Sequence, residues 1–281
     1  MIRQKLQTYI KRSIKSKIFR FLKTRRDSSN IKRSIKNKIL KFLKPTRGLA
    51  NNYYDKKIFC VGNNKTGTNS MRIYFQNLGY LVAPQAEAEK IFLEYYYNNK
   101  PKFLKLIIDY INCYEVFQDL PFSESKFLKD LINNFPNEKF IYTKRDSFKQ
   151  YISLVNHLSQ IANFKYDLKN KKLILDKKVV AKKLQNYVWN GHSMLQVIKN
   201  RYNLENNNQI FDQEIFMKYQ QDHEKNGKKL LANLDVLFLD LQNKNSSNEL
   251  SKFLNLPKKF FNKIPHANSR KYGRHYQVKK G

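Results

Sequence analysis

Cysteines and long apolar runs are scarce in this sequence. Only two of the 281 residues are cysteines, Cys60 and Cys113, which excludes a disulfide framework and leaves no spacing typical of metal ligands. No run approaches the ~18 apolar residues of a membrane-spanning helix, and the N-terminus lacks the uninterrupted apolar core of a secretory signal. We therefore expect a cytoplasmic protein. Peripheral binding to a membrane surface remains open.

Acidic residues are also few. Asp and Glu number 22 against 55 Lys and Arg, so the formal net charge is +33 and the pI is near 10. This balance favours anionic partners such as nucleotides, sulfated molecules, nucleic acid or anionic membrane. With 41% apolar residues the chain can still build a core, and its length suits one α/β domain with an appendage.

Residues 1–48 differ from the rest of the chain. They contain 17 Lys and Arg and one acid, Asp27, and they hold a repeat in which Ile10–Lys23 and Ile31–Lys44 match at 11 of 14 positions. The apolar residues have helical spacing, so the sequence predicts a basic amphipathic helical extension. We expect it to bind an anionic membrane surface. A solvated extension expanded by duplication remains an alternative, and nucleic acid is the less favoured partner because no recognised binding motif is present.

The stretch from Lys57 to Met71 (KIFCVGNNKTGTNSM) is the motif from which we interpret the remainder of the chain. A short apolar run predicts a buried strand that ends at Gly62, and a helix is expected to begin near Thr68. Backbone N–H groups in such a loop, together with the positive end of the helix dipole, form a cradle for phosphate. The side chains that add a cation and short donors are Lys65, Thr68, Asn69 and Ser70. A triphosphatase loop places its Lys directly after the second Gly, whereas Lys65 comes two residues before Gly67.

Strands and helices alternate after this loop. Short apolar strands are predicted at Tyr80–Ala83, up to Asp119 and just before Arg145, and helices are predicted between them. This order predicts a P-loop-like, three-layer α/β domain over residues 53–281 with a central parallel sheet. Ligands then bind at the carboxyl ends of the strands, where Gly62, Asp119 and Arg145 are expected to meet.

The segment FIYTKRDSFKQYISLVNHL resembles the second signature of sulfotransferases, which transfer a sulfuryl group from 3′-phosphoadenosine-5′-phosphosulfate (PAPS). In that signature an Arg at a strand end and a Ser eight residues later hold the 3′-phosphate of PAPS, and Arg145 and Ser153 have this spacing. An Arg grips phosphate with two parallel hydrogen bonds, and a hydroxyl two helical turns further on can complete the site. The lysine-containing loop resembles the family's phosphosulfate loop, which implies that residues 65–70 hold the 5′-phosphosulfate: Lys65, Thr66, Gly67, Thr68, Asn69 and Ser70.

The segment FQDLPF resembles the part of sulfotransferases that carries the catalytic base, which implies this role for Asp119. Cytosolic small-molecule members usually have His there, and other branches use a carboxylate. A free Asp has a pKa of about 3.9 and is a weak base, so burial would have to raise it. An ion-pairing or loop-capping role for Asp119 stays open.

The similarity runs roughly from Lys57 to Asn268 and is closer to carbohydrate-type than to cytosolic small-molecule sulfotransferases. It implies donor contacts for Arg270 and Lys271 in the basic tail, which a solvated tail would equally explain. The expected reaction is PAPS-dependent transfer to a hydroxyl or amine of a carbohydrate, glycolipid or other small acceptor, with Lys65 and Asp119 as catalytic residues and no metal. Helices between Glu87 and Ile111 and between Lys178 and Tyr202 are expected to line the acceptor pocket. A P-loop kinase or triphosphatase and a non-enzymatic basic binding protein remain alternatives.

Overall fold

The computed structural model describes residues 56–167, 172–173, 176–257 and 263–265. The predicted helical extension of residues 1–48 lies outside the described residues, and so do Arg270 and Lys271. Within the described ranges no helix is both long and apolar enough to cross a lipid bilayer.

Strands and helices follow the alternating order that the sequence predicts. The strands, in chain order, are β1 (Ile58–Cys60), β2 (Val116–Gln118), β3 (Lys139–Lys144), β4 (Tyr166–Asp167), β5 (Lys172–Leu173), β6 (Val188–Trp189), β7 (His192–Ser193) and β8 (Val236–Asp240). The α-helices are α1 (Thr68–Asn77), α2 (Gln85–Tyr95), α3 (Lys100–Ile111), α4 (Ser125–Asn134), α5 (Ser147–Ile161), α6 (Lys177–Asn186), α7 (Met194–Tyr202), α8 (Gln213–Leu231) and α9 (Ser246–Phe253).

The central sheet is parallel throughout, with strand order β2-β1-β3-β8. Strands β1, β2 and β3 are almost entirely buried, which fits their largely apolar sequences, whereas the edge strand β8 is mostly half-buried. Ile58 and Cys60 pack in one apolar cluster with residues of α1 and α9, whereas Phe59 packs in another with residues of α2, α3 and α4. The prediction of a three-layer α/β domain with a central parallel sheet is thus confirmed.

A third apolar cluster joins α5, α6, α7 and α8 beside the sheet. Tyr151 and Phe216 lie fully buried at its centre, and the ring of Phe216 stacks on Tyr202 with centroids 4.2 Å apart. This packing places α7 against α8, and it therefore determines which residues of α7 are buried.

One predicted strand is absent as such. The sequence favours a strand at Tyr80–Ala83, but the segment forms only an isolated bridge between Val82 and Val116 of β2. The segment lies between the positive-φ residue Gly79 and Pro84, which has no N–H to continue a ladder, so it is too short for a full strand.

Candidate active site

Three neighbouring strands end at one edge of the sheet. Because β1 lies between β2 and β3, the residues that follow them converge there: Gly62 after β1, Asp119 after β2 and Arg145 after β3. The predicted meeting of these strand ends is therefore what the fold shows.

The loop from Gly62 to Gly67, which we call the β1–α1 loop, lies directly against the end of β3. A Cβ atom at Gly62 would overlap the carbonyl oxygen and hydroxyl of Thr143, so only glycine fits. The Thr66 and Thr143 hydroxyl oxygens are 2.7 Å apart, and Thr66 Oγ1 also donates to the carbonyl of Asn63 at 2.5 Å. These contacts hold the loop in one conformation beside Arg145.

Helix α1 presents an open N-terminus to this loop. Its N-cap is Gly67, with φ of 108°. No side chain forms a capping hydrogen bond, and the first turn contains no acidic residue. A Cβ at Gly67 would meet the flexible end of the Leu241 side chain, which can move, but the φ of 108° favours glycine there. An uncapped helix N-terminus carries partial positive charge and exposes backbone donors, which favours an anion at this position.

Two cations meet at the β1–α1 loop. Arg145 Nη1 donates to the carbonyl oxygen of Lys65 at 3.1 Å, while Arg145 Nε is buried without a partner among the described residues. Burial lowers the pKa of Lys65, nearby Asp119 opposes that shift and the positive charge of Arg145 adds to it. Neither cation forms an ion pair with a carboxylate in the described part of the chain. The arrangement leaves positive charge for an external anion.

Asp119 faces the same loop. Its Oδ2 accepts a hydrogen bond from Thr68 Oγ1 at 2.9 Å, and its Oδ1 accepts from the Leu120 N–H at 3.0 Å. Asp119 and Lys65 both adopt left-handed backbone conformations, with φ of 61° and 64°. Such conformations are costly for a residue with a side chain and tend to occur at functional sites.

Helix α5 places Ser153 on the side that faces the loop. Gln150 Nε2 donates to the carbonyl of Asn64 at 2.6 Å. His157 keeps an exposed edge, yet the surrounding protein desolvates its ring, and together with the positive charge of Lys65 this lowers its pKa to about 4. Ser153 lies three residues after Gln150 and four before His157, so all three share one helical face.

The remaining predicted donor residues lie in the first turn of α1 or outside the described chain. Arg72 Nε donates to Asn69 Oδ1 at 2.8 Å, which orients the Asn69 amide, and Ser70 follows it on the same turn. Arg270 and Lys271 have no described position, so their predicted donor contacts stay predictions.

Sequence reasoning missed Arg201. This residue of α7 is 7% exposed, and its Nη2 donates to Asn63 Oδ1 at 3.0 Å and to the hydroxyl of Ser123 at 3.3 Å. Arg201 thereby joins the β1–α1 loop to the turn after β2. A signal was present in the sequence: the buried positions of α7 recur at helical spacing, and Arg201 falls among them, as the list Met194, Leu195, Ile198, Arg201, Tyr202 shows.

A small cavity of about 30 Å³ lies between α2 and α7; we call it the α2–α7 cleft. Its lining includes Leu120, Glu124 and Arg201 together with other side chains of α2 and α7. Residues of both helical ranges expected to form the acceptor pocket contribute to this lining, and binding of an acceptor there stays a prediction. Glu124 is 2% exposed, and its Oε2 has no hydrogen-bond partner among the described residues.

A second buried carboxyl group, that of Glu89, lies near Asp119 and was also missed. Burial and the negative charge of Asp119 raise the pKa of Glu89 to about 8, although a hydrogen bond from Gln85 and the charge of Arg201 oppose the shift. Gln118, the last residue of β2, donates in turn to Gln85 Oε1 at 3.2 Å. At neutral pH Glu89 is thus mainly uncharged, and it belongs to a buried polar chain that ends beside Asp119.

Within the described ranges no three His, Cys, Asp or Glu residues cluster closely enough to hold a metal ion.

A family model described as a sulfotransferase domain matches residues 57–272, which is more than half of the chain. No curated protein matches the sequence. The match begins at the residue before β1 and includes the β1–α1 loop, Asp119, Arg145 and the α2–α7 cleft. The chain belongs to the sulfotransferase family, as the resemblance of its motifs predicts.

Proposed function

We propose that this sulfotransferase family member uses PAPS as donor and transfers its sulfuryl group to a hydroxyl or amine of a carbohydrate, glycolipid or other small acceptor. One observation carries the proposal: Lys65 and Arg145 meet at the uncapped N-terminus of α1, and neither has an ion-pair partner in the described chain. Two cations, a helix N-terminus and an unpartnered buried Arg145 Nε suit a donor that carries both a 5′-phosphosulfate and a 3′-phosphate.

When bound, PAPS supplies the sulfuryl group: the acceptor oxygen bonds to sulfur while the bond from sulfur to the 5′-phosphate oxygen breaks, and that oxygen keeps the electron pair. Lys65, held by the left-handed backbone of the loop, neutralises negative charge that develops on the phosphate side. The loop and the first turn of α1 act by positioning, because their donors are fixed before any ligand arrives.

Arg145 and Ser153 are the proposed contacts for the 3′-phosphate. Arg145 is tied to the loop through the Lys65 carbonyl, and Ser153 lies on the loop-facing side of α5. Arg270 and Lys271 are proposed as further contacts, on the strength of the sequence alone.

Asp119 is the proposed base that takes the proton of the acceptor hydroxyl. Its carboxylate lies at the end of β2 between the β1–α1 loop and the α2–α7 cleft, and Thr68 and the Leu120 N–H fix its orientation. Each carboxylate oxygen can still accept a further hydrogen bond, so an acceptor hydroxyl can bind to either one.

The donor site is tested by calorimetric binding of 3′-phosphoadenosine-5′-phosphate (PAP), with ATP as comparator and no Mg²⁺. We expect Arg145→Ala to weaken PAP binding by about 2 kcal/mol, or about 30-fold, the scale of a lost charge-assisted contact. Lys149→Ala is the matched control, because it removes an exposed positive charge two residues into the following helix. Absent PAP binding in the wild type, or a preference for Mg-ATP, would overturn the proposal.

The base is tested with Asp119→Asn, which keeps an oxygen to accept from the Leu120 N–H. We expect kcat to fall by about 10²- to 10⁴-fold, the usual contribution of a general base, while PAP affinity stays within about threefold. An unchanged kcat would show that Asp119 only orients the loop and is not the base.

The basic extension is proposed to bind anionic membrane from the cytoplasmic side, on its sequence alone. Residues 1–48 carry about half of the net charge in two amphipathic repeats, and two such segments supply the two signals that stable surface attachment needs. Deleting residues 1–48 should abolish sedimentation with phosphatidylserine vesicles and preserve turnover of a water-soluble acceptor. Vesicle binding that survives the deletion would contradict this role.

A further inference from the structure

We propose that His223 of α8 is a positioning residue for the base. Its neutral ring, with the proton on Nε2, ties the turn of residues 119–123 to strand β3, and it thereby fixes Asp119 relative to the donor site. This inference rests on the proposed function, because it concerns the base of the same site, and it adds a residue from outside the predicted site.

The ring of His223 lies inside the protein and has a hydrogen-bond partner at each nitrogen. His223 is 2% exposed, its Nε2 is 2.9 Å from the carbonyl oxygen of Ser123, and its Nδ1 is 2.6 Å from the hydroxyl oxygen of Tyr142. A carbonyl oxygen only accepts, so Nε2 carries the proton and Nδ1 accepts from the Tyr142 hydroxyl. Burial lowers the pKa of His223 to about 4, so the ring is neutral and keeps this arrangement at physiological pH.

The Ser123 side of the link leads directly to Asp119. Ser123 is fully buried, and its N–H donates to the Asp119 carbonyl at 2.8 Å. Its own carbonyl accepts from His223 Nε2 and, at 3.4 Å, from Arg201 Nη2. Asp119 has a left-handed backbone, with φ of 61°, which a residue with a side chain adopts at a cost. Such a conformation persists only where the surrounding structure holds it, and the bonds at Ser123 do so here.

The Tyr142 side of the link leads to the strand that carries the donor-site residues. Tyr142 precedes Thr143, whose hydroxyl contacts the β1–α1 loop, and Arg145 comes two residues after Thr143. Successive side chains of a strand point to opposite faces, so β3 contacts the loop through Thr143 and α8 through Tyr142. A Cβ atom at Gly227, one turn after His223, would overlap the ring of Tyr142, so glycine permits this close contact. One strand thus holds the donor loop on one face and the base on the other.

The two partners distinguish His223 from an ordinary core residue. Taking an imidazole out of water is unfavourable unless its nitrogens find partners, so an apolar side chain would fill the same position at lower cost. Both nitrogens of His223 do find partners, and these belong to the turn that begins with Asp119 and to the strand that precedes Arg145. The polar ring is therefore placed where it joins the two halves of the site.

The link is tested by hydrogen exchange on the full-length protein without ligand, read by mass spectrometry of peptides that cover residues 119–124. In His223→Leu the Ser123 carbonyl loses a donor, and we expect these amides to exchange about tenfold faster than in the wild type. His223→Gln keeps an N–H near the position of Nε2 and should restore most of the protection. Tyr142→Phe keeps the ring and removes only the hydroxyl, so it should accelerate exchange about threefold.

The consequence for the base is measured as slow transfer of the sulfuryl group from labelled PAPS to water, which requires no identified acceptor. The water oxygen bonds to sulfur, the bond from sulfur to the 5′-phosphate oxygen breaks and leaves PAP, and Asp119 takes the proton of water. We expect His223→Leu to lower this rate about tenfold, while PAP affinity stays within about threefold. In the Asp119→Asn background His223→Leu should have no further effect, because it acts through Asp119.

Gln220→Leu is the control variant. Gln220 lies one turn before His223 on α8, is 5% exposed, and its amide has no hydrogen-bond partner among the described residues. Its substitution removes a buried polar group without breaking the link, so exchange at residues 119–124 and transfer to water should match the wild type.

Unchanged exchange in His223→Leu or Tyr142→Phe, no recovery in His223→Gln, or the same changes in Gln220→Leu would each overturn the inference. An undiminished effect of His223→Leu in the Asp119→Asn background would overturn it as well. A wild type that binds no PAP would instead count against the proposed function. The exchange measurement uses no ligand, so it decides the role of His223 in holding the turn in either case.

Discussion

The β1–α1 loop and the α2–α7 cleft lie on either side of Asp119 and are constructed differently. The loop consists of consecutive residues, and it is held by its own backbone and by Thr143 at the end of the neighbouring strand. The cleft is assembled from α2, α7 and the turn after β2, which are far apart in the chain. A contiguous loop leaves a motif in the sequence, whereas an assembled cleft leaves only single residues at buried positions.

The two regions also differ in charge. Lys65 and Arg145 make the loop side cationic, while the carboxyl groups of Glu89 and Glu124 are buried on the cleft side. The positive charge therefore lies on the loop side, where the proposed anionic donor would bind. Arg201 touches both regions, so substitutions at Arg201 and around it show how far they depend on each other.

The largest effect is expected for Arg201→Met. The substitution removes the partner of Asn63 and Ser123 and leaves Glu124 without its nearby buried cation. Breaking a buried charge network from one side typically costs about 3–5 kcal/mol, and we expect a loss of about 4 kcal/mol in the free energy of unfolding, measured with urea. Adding Glu124→Gln should recover part of that loss. A double variant no more stable than Arg201→Met would show that Glu124 is not coupled to Arg201.

A pH-dependent effect is expected from Glu89 on the cleft side. Its pKa is raised from an ordinary 4.5 to about 8, so the folded protein holds a proton that the unfolded chain releases between these values. The associated stability is fully present below pH 4.5, falls as the pH rises and is lost above about pH 8. Glu89→Gln should remove this decline, which we expect to be on the order of a few kcal/mol, in urea unfolding from pH 5 to 8.5. A wild-type profile no steeper than that of the variant would contradict the shift.

On the loop side, Gly62→Ala should separate the β1–α1 loop from β3. The added Cβ would overlap the Thr143 carbonyl, and such overpacking costs about 2 kcal/mol. PAP affinity should fall at least tenfold, since Arg145 follows β3 directly. Gly191→Ala is the control: φ there is +85° with no atom within 4 Å of the new Cβ, so only a backbone cost of about 1 kcal/mol is expected and PAP binding should be kept. Equal PAP affinities in the two variants would show that the close contact between Gly62 and Thr143 is not needed for donor binding.

The smallest effect is expected for Ser153→Ala. Losing one hydroxyl contact to a phosphate should weaken PAP binding by about 1 kcal/mol without changing the melting temperature. Ser159→Ala, on the same helix but off the loop-facing side, should bind PAP like the wild type. If both variants match the wild type, Ser153 has no part in the donor site.

The sequence was sufficient for the fold class and for the loop side of the site. Apolar strands alternating with amphipathic helices dictate a parallel sheet, and the carboxyl ends of parallel strands necessarily lie at one edge. Gly62, Asp119 and Arg145 could therefore be placed together from their positions after three strands. Their roles in donor binding and proton transfer stay predictions that the variants above would test.

The cleft side depended on the tertiary structure. Arg201 is one of 55 basic residues, and nothing but helical spacing separates it from those that remain in solvent. Glu89 and Glu124 become chemically distinct only when α2 and α7 pack beside the end of β2 and exclude water from their carboxyl groups. The sequence by itself determined the strand order in the chain, the glycine-bounded loop and the cations near it, because those features are local. Packing between distant helices decided which charged groups are buried and which groups lie beside them. Desolvation and charge pairing depend on these neighbours, and the linear sequence does not specify them.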